Sequence, residues 1–295
     1  MFWATAAAVA VASFVLASAA PTRAPVYEYT RTVLDGTSGV YNESHAIYLG
    51  RLVSTTYCPK KDVESWTCPP CGNVSKLQNL IVINDKSESF QGILGFTGTH
   101  VVVAFRGSMD VKNWVDNLSF LKTRPWPHIF PKAAIHRGFY AVYNSIQDKL
   151  FVALSSLFAL HPSAPLIITG HSLGSAVAAI AVVDLHTRHN ITTEFMLTFG
   201  EPRVGNAAFV SRLTHIVRDI HRITHWRDIV PHVPLEWQGY IHEAQEIWYT
   251  EDSTSFKLCD PGNGEDPLCS KQVPTISSFA DHLVYLNITM SHLIC

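Results

Sequence analysis

Hydrophobic and polar positions along the chain form two kinds of segment, short apolar runs typical of buried strands and longer periodic stretches typical of helices. Strand-like runs cover residues 77–85, 91–107, 165–170, 193–205, 220–231 and 245–250, of which the fourth and fifth continue into turns. Helical patterns cover residues 136–161 and 172–189. This alternation predicts an α/β fold with a central, predominantly parallel sheet and helices on both faces. In such sheets catalytic groups collect at the carboxyl ends of the strands.

One predicted strand-to-helix turn carries a nucleophile motif. Residues 166–174 read LIITGHSLG, so an apolar strand ends in the pentapeptide G-x-S-x-G directly before an alanine-rich helix. A serine at the apex of such a turn crowds its neighbours, and Gly170 and Gly174 leave room where a Cβ atom would clash. The first N–H groups of the helix favour negative charge beside Ser172. This context favours a nucleophilic Ser172 over an ordinary glycine-rich turn.

A serine nucleophile needs a base and an acid that orients the base, and in one common arrangement the acid and then the base follow the serine along the chain. Seven aspartates follow: Asp184, Asp219, Asp228, Asp252, Asp260, Asp266 and Asp281. Asp228 is the best candidate because it lies in a turn after the strand-like run HRITHW. Asp184 lies inside the helix after the nucleophile, and the others follow no strand end.

Four histidines follow Asp228, and His282 is the preferred base. They are His232, His242, His282 and His292. His282 lies in FADHLVYL, between a loop and a final apolar segment, with His242 as the alternative. His232 is too close to Asp228 in the chain to occupy a separate catalytic loop. We interpret Asp281 as structural and His225 as a partner of the strand edge.

An oxyanion hole requires two donors near the serine. One is the N–H of the residue after the nucleophile, Leu173. The run VVVAFRGS supplies the second, since Gly107 permits a turn and Ser108 offers its backbone N–H. Loss of one such donor typically costs about 3 to 4 kcal/mol of transition-state stabilisation.

A short amphipathic segment follows Ser108 directly. Four apolar residues share one face at helical spacing: Val111, Trp114, Val115 and Leu118. Burial of each side chain is worth at most about 1.5 to 3 kcal/mol. An ordinary surface helix would explain the pattern. The position beside an oxyanion residue favours a lid, from about Met109 to Phe120, that covers the serine in water and opens at a lipid surface.

The N-terminus and the charge pattern limit the cellular context. Residues 1–20 are apolar and end in small residues, which is typical of a secretory signal peptide, although no lysine or arginine precedes the apolar run. A short pro-segment to about residue 24 is compatible with the sequence, and residues 25–295 are predicted to form one domain. The run is short for a membrane anchor. The net charge of −2, without a basic stripe, argues against nucleic-acid binding.

Cysteines and glycosylation sequons agree with secretion. The six cysteines are Cys58, Cys68, Cys71, Cys259, Cys269 and Cys295. Short loops favour Cys68 with Cys71 and Cys259 with Cys269, which leaves Cys58 with Cys295, although the sequence alone does not fix the pairing. A redox or zinc role for CPPC lacks its required context. The sequons begin at Asn42, Asn73, Asn117, Asn190 and Asn287.

Several motifs in order resemble the secreted filamentous-fungal lipases, the class 3 lipases of the α/β-hydrolase fold. They are AFRGS, the NW pair at 113 and 114, HRGF, ITGHSLG, FGEPRVGN, RITHWRDIVPHVP and DHLVY, spread from about Tyr48 to Cys295. The resemblance implies nucleophile Ser172, acid Asp228, base His282, oxyanion donors Ser108 and Leu173, the lid and the three disulfides above. Ser175 departs from the glycine of many relatives.

The sequence therefore predicts a secreted, extracellular triacylglycerol lipase that forms an acyl-enzyme and acts at an oil-water interface. We expect no cofactor or metal, no transmembrane anchor and a monomer. Feruloyl esterases and mono- or diacylglycerol lipases share the scaffold and are alternatives, and an inactive fold that binds lipid or a partner is a remote one. The apolar lid face with Trp114 favours lipid esters.

Overall fold

The computed structural model describes Met1 and residues 40–217, 219–273 and 278–295. Apart from Met1, the predicted signal peptide and pro-segment lie outside the described residues. The prediction of a single domain over residues 25–295 stays a prediction. Among the described residues, no helix is both long and apolar enough to cross a membrane.

Eight strands form the central sheet, in the order β1-β2-β3-β6-β7-β8-β9-β10. The twelve strands of the described chain are β1 (Gln78–Asp85), β2 (Phe90–Phe96), β3 (Val101–Phe105), β4 (Lys122–Thr123), β5 (Ile135–His136), β6 (Leu166–His171), β7 (Phe195–Phe199), β8 (Asp219–His225), β9 (Glu246–Tyr249), β10 (Phe256–Leu258), β11 (Val284–Tyr285) and β12 (Ile288–Thr289). Strands β3, β6, β7, β8 and β9 are parallel, and the outer pairs are antiparallel. The carboxyl ends of β3, β6, β7 and β8 therefore meet at one edge.

Seven α-helices accompany the sheet in the described chain. They are α1 (Glu43–Thr55), α2 (Lys60–Ser65), α3 (Val111–Asp116), α4 (Arg137–Leu160), α5 (Leu173–His189), α6 (Ala207–Ile216) and α7 (Phe279–His282). Helices α4 and α5 agree with the sequence prediction. The sequence analysis did not identify α1, which begins after the N-cap Asn42, whose side chain accepts the His45 N–H.

Alternate residues of β3 face two separate hydrophobic cores. Val101, Val103 and Phe105 pack with helices α4, α5 and α6, whereas Val102 and Ala104 pack with α1. This period of two is expected for a strand that is covered on both sides. The two cores confirm the prediction of helices on both faces of the sheet.

Helix α5 lies in the interior rather than at the surface. Every residue from Leu173 to Leu185 is buried, and alanines recur along this stretch. Small side chains let the helix approach the sheet and its neighbours closely. The one carboxylate in this stretch, Asp184, accepts bonds from Trp126 and Tyr143 at 2.8 Å and from Arg188 at 2.7 Å. A rigid, well-packed α5 fixes the position of the turn before it.

Three disulfide bonds join Cys58 to Cys295, Cys68 to Cys71 and Cys259 to Cys269, the pairing that the sequence favoured. The first closes a separation of 237 residues and attaches the C-terminal segment to the chain after α1. Strands β11 and β12, which follow His282, belong to this segment. The bond therefore holds the loop that carries the predicted base.

Candidate active site

Ser172 occupies a tight turn between β6 and α5. Its backbone has φ 58° and ψ −128°, a conformation that a residue with a side chain rarely adopts. The turn is held by the Ser172 N–H, which donates to the Phe199 carbonyl at 2.9 Å. A Cβ on Gly170 would lie 2.5 Å from the Gly174 carbonyl carbon, and one on Gly174 would lie 2.5 Å from the Phe105 oxygen. The two glycines are required for the close approach of strand and helix.

Asp228 and His282 meet at the carboxyl edge of the sheet. Asp228 follows the end of β8, and His282 is the last residue of α7. The His282 Nδ1 atom lies 2.7 Å from Asp228 Oδ2, and both side chains are buried. The Val230 N–H donates to the other carboxylate oxygen at 2.8 Å. A carboxylate at Nδ1 places the proton of a neutral imidazole there and leaves Nε2 as a base.

The reactive atoms of Ser172 and His282 are buried and have no hydrogen-bond partner within the described residues. These atoms are Ser172 Oγ and His282 Nε2. Buried polar atoms without a partner are exceptions in folded proteins and require a physical reason. Here the reason is chemical, since a nucleophile and a base must both be available to a substrate. Hydrogen bonds between such groups are often long in the absence of substrate.

The segment after β3 lies directly against the nucleophile. A Cβ on Gly107 would lie 2.6 Å from the Ser172 Cβ, so the Gly107–Ser108 backbone passes at van der Waals distance from the serine. Leu173 is the first residue of α5, where backbone N–H groups have no partner inside the helix. Leu173 and Gly107, the residue before Ser108, therefore both adjoin Ser172.

The predicted lid contains a shorter helix than the sequence pattern implied. Helix α3 ends at Asp116, and Leu118 lies beyond its C-cap, Asn117. The Asp110 side chain caps the N-terminus by accepting the Asn113 N–H at 3.1 Å. The segment is amphipathic as expected. Val111 is buried and Trp114, Val115 and Leu118 are half-buried, whereas the polar residues between them are exposed.

The C-terminal end of the predicted lid is bonded to neighbouring segments. Three successive carbonyls at its C-terminal end accept hydrogen bonds, Ser119 from His136 Nε2, Phe120 from the Tyr240 hydroxyl and Leu121 from the Arg137 N–H. Burial lowers the pKa of His136 to about 4, so its imidazole is neutral at physiological pH. The segment with the helix packs on the core through Trp114 and Leu118, with the Trp114 and Phe139 ring centroids 5.8 Å apart. The firmly bonded end is suited to act as a hinge.

Tyr57, His171 and Tyr285 contribute to the site, and the sequence analysis did not single them out. The Tyr285 hydroxyl donates to Asp228 Oδ2, the oxygen that also binds His282. The Tyr57 hydroxyl lies 2.5 Å from His171 Nδ1, and His171 Nε2 lies 2.7 Å from the His282 carbonyl oxygen. Tyr285 lies in the quoted motif DHLVY, so that motif was the signal for it. No local pattern distinguishes Tyr57.

The competing candidates have other contacts. His242 Nε2 lies 2.7 Å from the Pro231 carbonyl oxygen, and His225 bonds the carbonyls of Asp281 and Glu251. The Asp281 carboxylate accepts the Arg227 N–H at 3.2 Å, a structural role. The Ser175 hydroxyl donates to the Gly170 oxygen at 2.7 Å and fits the start of α5. Within the described residues, His282 is the one candidate histidine that bonds Asp228.

The sequence is similar to known fungal lipases. Residues 102–237 match the family described as lipase (class 3). A lipase of Rhizomucor miehei is 32% identical over 194 residues, which cover 64% of this chain and 52% of that protein. Secreted mono- and diacylglycerol lipase A of Penicillium cyclopium is 32% identical over 195 residues, which cover 64% of this chain and 63% of that protein. The chain thus spans between about half and less than two thirds of the length of these relatives.

The fold is also that of a solved lipase. The triacylglyceride lipase of Rhizomucor miehei superposes with a TM-score of 0.78 at 26% sequence identity, covering 88% of this chain and 99% of that one. The predicted α/β-hydrolase fold is confirmed by this likeness and by the sheet. Together, the match over residues 102–237 and the shared fold make this chain similar to the class 3 lipases.

Proposed function

We propose that this protein is a serine carboxylic-ester hydrolase, a triacylglycerol lipase that acts through Ser172, His282 and Asp228. The bond between His282 Nδ1 and Asp228 beside the strained turn of Ser172 carries the proposal. Among the described residues, no other histidine bonds Asp228. The relatives named above are lipases, which supports the same reaction class.

The proposed reaction proceeds through an acyl-enzyme. Ser172 Oγ attacks the ester carbonyl while His282 Nε2 accepts its proton, and Asp228 stabilises the resulting imidazolium. The N–H groups of Ser108 and Leu173 bind the oxyanion of the tetrahedral intermediate. His282 then returns its proton to the departing alcohol and later activates the water that releases the fatty acid.

Replacement of the nucleophile tests the reaction class. Ser172→Ala is expected to abolish turnover of a dissolved short-chain ester and covalent labelling by an alkylphosphonate, because the variant lacks the hydroxyl that His282 would activate. The fold should persist, since Ser172 Oγ makes no hydrogen bond within the described residues. Circular dichroism and the melting temperature check the fold. Retained turnover in the variant contradicts the proposal.

An apolar surface beside the lid supports action at a lipid surface. Phe120 and Leu121 are about half exposed although their carbonyls are fixed, and Trp237 is 81% exposed. The Lys122 ammonium donates to the Gln238 carbonyl, which connects the two segments. Exposed apolar side chains that lie close together are typical of a surface that meets an apolar phase.

A panel of ester substrates tests which class of ester the protein hydrolyses. We expect emulsified triacylglycerol to be hydrolysed faster than methyl ferulate, because the apolar face of the proposed lid would favour a lipid substrate. Monoacylglycerol and diacylglycerol belong in the panel, since one relative is named for these substrates. A preference for methyl ferulate would assign the protein to the feruloyl esterases, and labelling without any turnover would assign it to an inactive binding protein.

We also propose that the protein is secreted and glycosylated. Asn42, Asn117, Asn190 and Asn287 are exposed, and Asn73 is half-buried. Three disulfide bonds agree with an oxidising compartment. Mass spectrometry of the protein from the culture medium, before and after enzymatic deglycosylation, would give the mature N-terminus and the occupied asparagines.

A further inference from the structure

Tyr57 and His171 form a buried chain of hydrogen bonds between two segments of the candidate site. At one end, the Gly107 N–H donates to the Tyr57 oxygen at 3.0 Å. At the other end, His171 Nε2 lies 2.7 Å from the carbonyl oxygen of His282. Between them, the Tyr57 oxygen and His171 Nδ1 are 2.5 Å apart. The chain therefore joins the backbone beside Ser108 to the backbone of the predicted base.

Every donor in this chain has a fixed direction. A carbonyl oxygen only accepts, so the proton of a neutral His171 lies on Nε2. His171 Nδ1 then accepts from the Tyr57 hydroxyl, whose oxygen in turn accepts the Gly107 N–H. No group is left to rotate or to exchange its role. A fully satisfied buried network of this kind rigidifies the segments that it joins.

The imidazole of His171 must stay uncharged for this arrangement. Its ring centroid lies 4.5 Å from that of His282, which becomes positive when it accepts the serine proton. Burial, and secondarily the charge of His282, lower the pKa of His171 well below its ordinary value. A neutral neighbour adds no repulsion when His282 is protonated.

We propose that Tyr57 and His171 are positioning residues that hold the oxyanion segment and the base His282 in register across Ser172. This inference rests on the proposed function. Neither side chain is required to touch the substrate. Gly107 supports the same coupling, because it lies close to both Ser172 and Tyr57. A Cβ added there would lie 2.6 Å from Ser172 Cβ and 2.7 Å from the Tyr57 oxygen.

Tyr57→Phe removes the hydroxyl and leaves the ring. We expect kcat on a dissolved ester to fall by about 10- to 100-fold, with KM nearly unchanged, because small displacements of catalytic groups cost this much. The rate of alkylphosphonate labelling should fall by a similar factor. Tyr143→Phe is the matched control, since Tyr143 is also buried and its hydroxyl bonds Asp184 at 2.8 Å. This hydrogen bond lies outside the candidate site. It should lower the melting temperature without lowering kcat.

Variants of His171 provide a second readout. Glutamine retains an N–H that reaches toward the His282 carbonyl, so His171→Gln should keep several-fold more kcat than His171→Ala. Combining Tyr57→Phe with His171→Gln should cost less than the product of the two single losses, since one chain is broken in both.

The inference is overturned if kcat of Tyr57→Phe stays within about twofold of the wild type, a change worth less than about 0.5 kcal/mol. It is also overturned if Tyr143→Phe lowers kcat as much as Tyr57→Phe does, because the loss would then reflect a weakened fold. A failure of the proposed function looks different, because the wild type would then resist labelling or Ser172→Ala would remain active.

Discussion

Gly170 and Gly174 let the strand before Ser172 and the helix after it approach more closely than any residue with a side chain would permit. The atoms nearest to a Cβ added at either position belong to the backbone, which cannot rotate away. Such contacts transmit a substitution directly to the reacting groups. The turn therefore has little tolerance for change.

Gly174→Ala is expected to lower kcat by about 100-fold, because the added methyl group would displace Leu173 and its N–H from the serine. The new Cβ would lie 2.6 Å from the Arg106 oxygen as well as against Phe105. Gly72→Ala is the control, since its Cβ would meet no atom within 4 Å. Kinetics on a dissolved ester measure both. Equal activities would show that the turn adapts without loss.

A buried acidic pair should make the stability depend on pH. Burial, and then the neighbouring charge of Glu243, raise the pKa of Glu201 well above its ordinary value of 4.5. The folded protein thus holds a proton that the unfolded chain releases above that value, so stability falls as the pH rises toward the folded pKa. Glu201→Gln, which stays neutral, should show a smaller decrease of the melting temperature between about pH 5 and pH 9. Parallel curves for the two proteins would contradict this.

At the scale of elements, α3 is short, and Trp114 and Leu118 on the apolar face of the predicted lid are only partly buried against the core. The lid is anchored by backbone hydrogen bonds at its C-terminal end and by the stacking of Trp114 on Phe139. A helix of six residues has little stability of its own. Its position therefore depends on side-chain contacts with the rest of the protein.

Trp114→Ser is expected to lower activity on emulsified triacylglycerol relative to a dissolved ester. The reason is that the indole contributes apolar surface in both the closed lid and the open state at the interface, and the open state depends on it most. Lys112→Ser, on the exposed side of the same helix, is the matched control. The measurement is the ratio of the two rates. An unchanged ratio in Trp114→Ser would show that α3 is an ordinary surface helix.

At the scale of the whole molecule, the C-terminal segment carries His282 and Tyr285 back to the sheet. The bond between Cys58 and Cys295 closes the largest loop, with a separation of 237 residues, whereas Cys68 and Cys71 are separated by 3. Cross-links that close long loops restrict the unfolded chain most. The first bond therefore contributes to both stability and the position of the base.

The double variant Cys58→Ser/Cys295→Ser is expected to lose about 2 to 5 kcal/mol of unfolding free energy. Its kcat should also fall, because the segment after His282 loses its attachment. The corresponding change at Cys68 and Cys71 should cost much less, owing to the short loop. Urea unfolding and ester kinetics measure the two effects. Equal losses in both variants would mean that loop closure is not the source of the stabilisation.

Features that depend on neighbours along the chain could be predicted from the amino-acid sequence. The period of two in the strands, the turn around Ser172 and the helices after it follow from local sterics and from the burial of apolar side chains. The order Ser172, Asp228, His282 and the strand ends before the first two led to the candidate site, and its catalytic role stays a prediction. The C-terminal limit of α3 was predicted less well, because the apolar spacing continues to Leu118 beyond the last helical residue.

Contacts between residues that are far apart in the chain depend on the tertiary structure. Tyr57 and His171 are 114 positions apart, and Asp228 and Tyr285 are 57 apart. Tyr57 does not differ in local pattern from a tyrosine that merely packs in a core, and Tyr285 is marked only by the motif DHLVY. Their roles arise because the parallel strands bring the turns after β3, β6 and β8 to one edge, where a buried hydroxyl must find a partner.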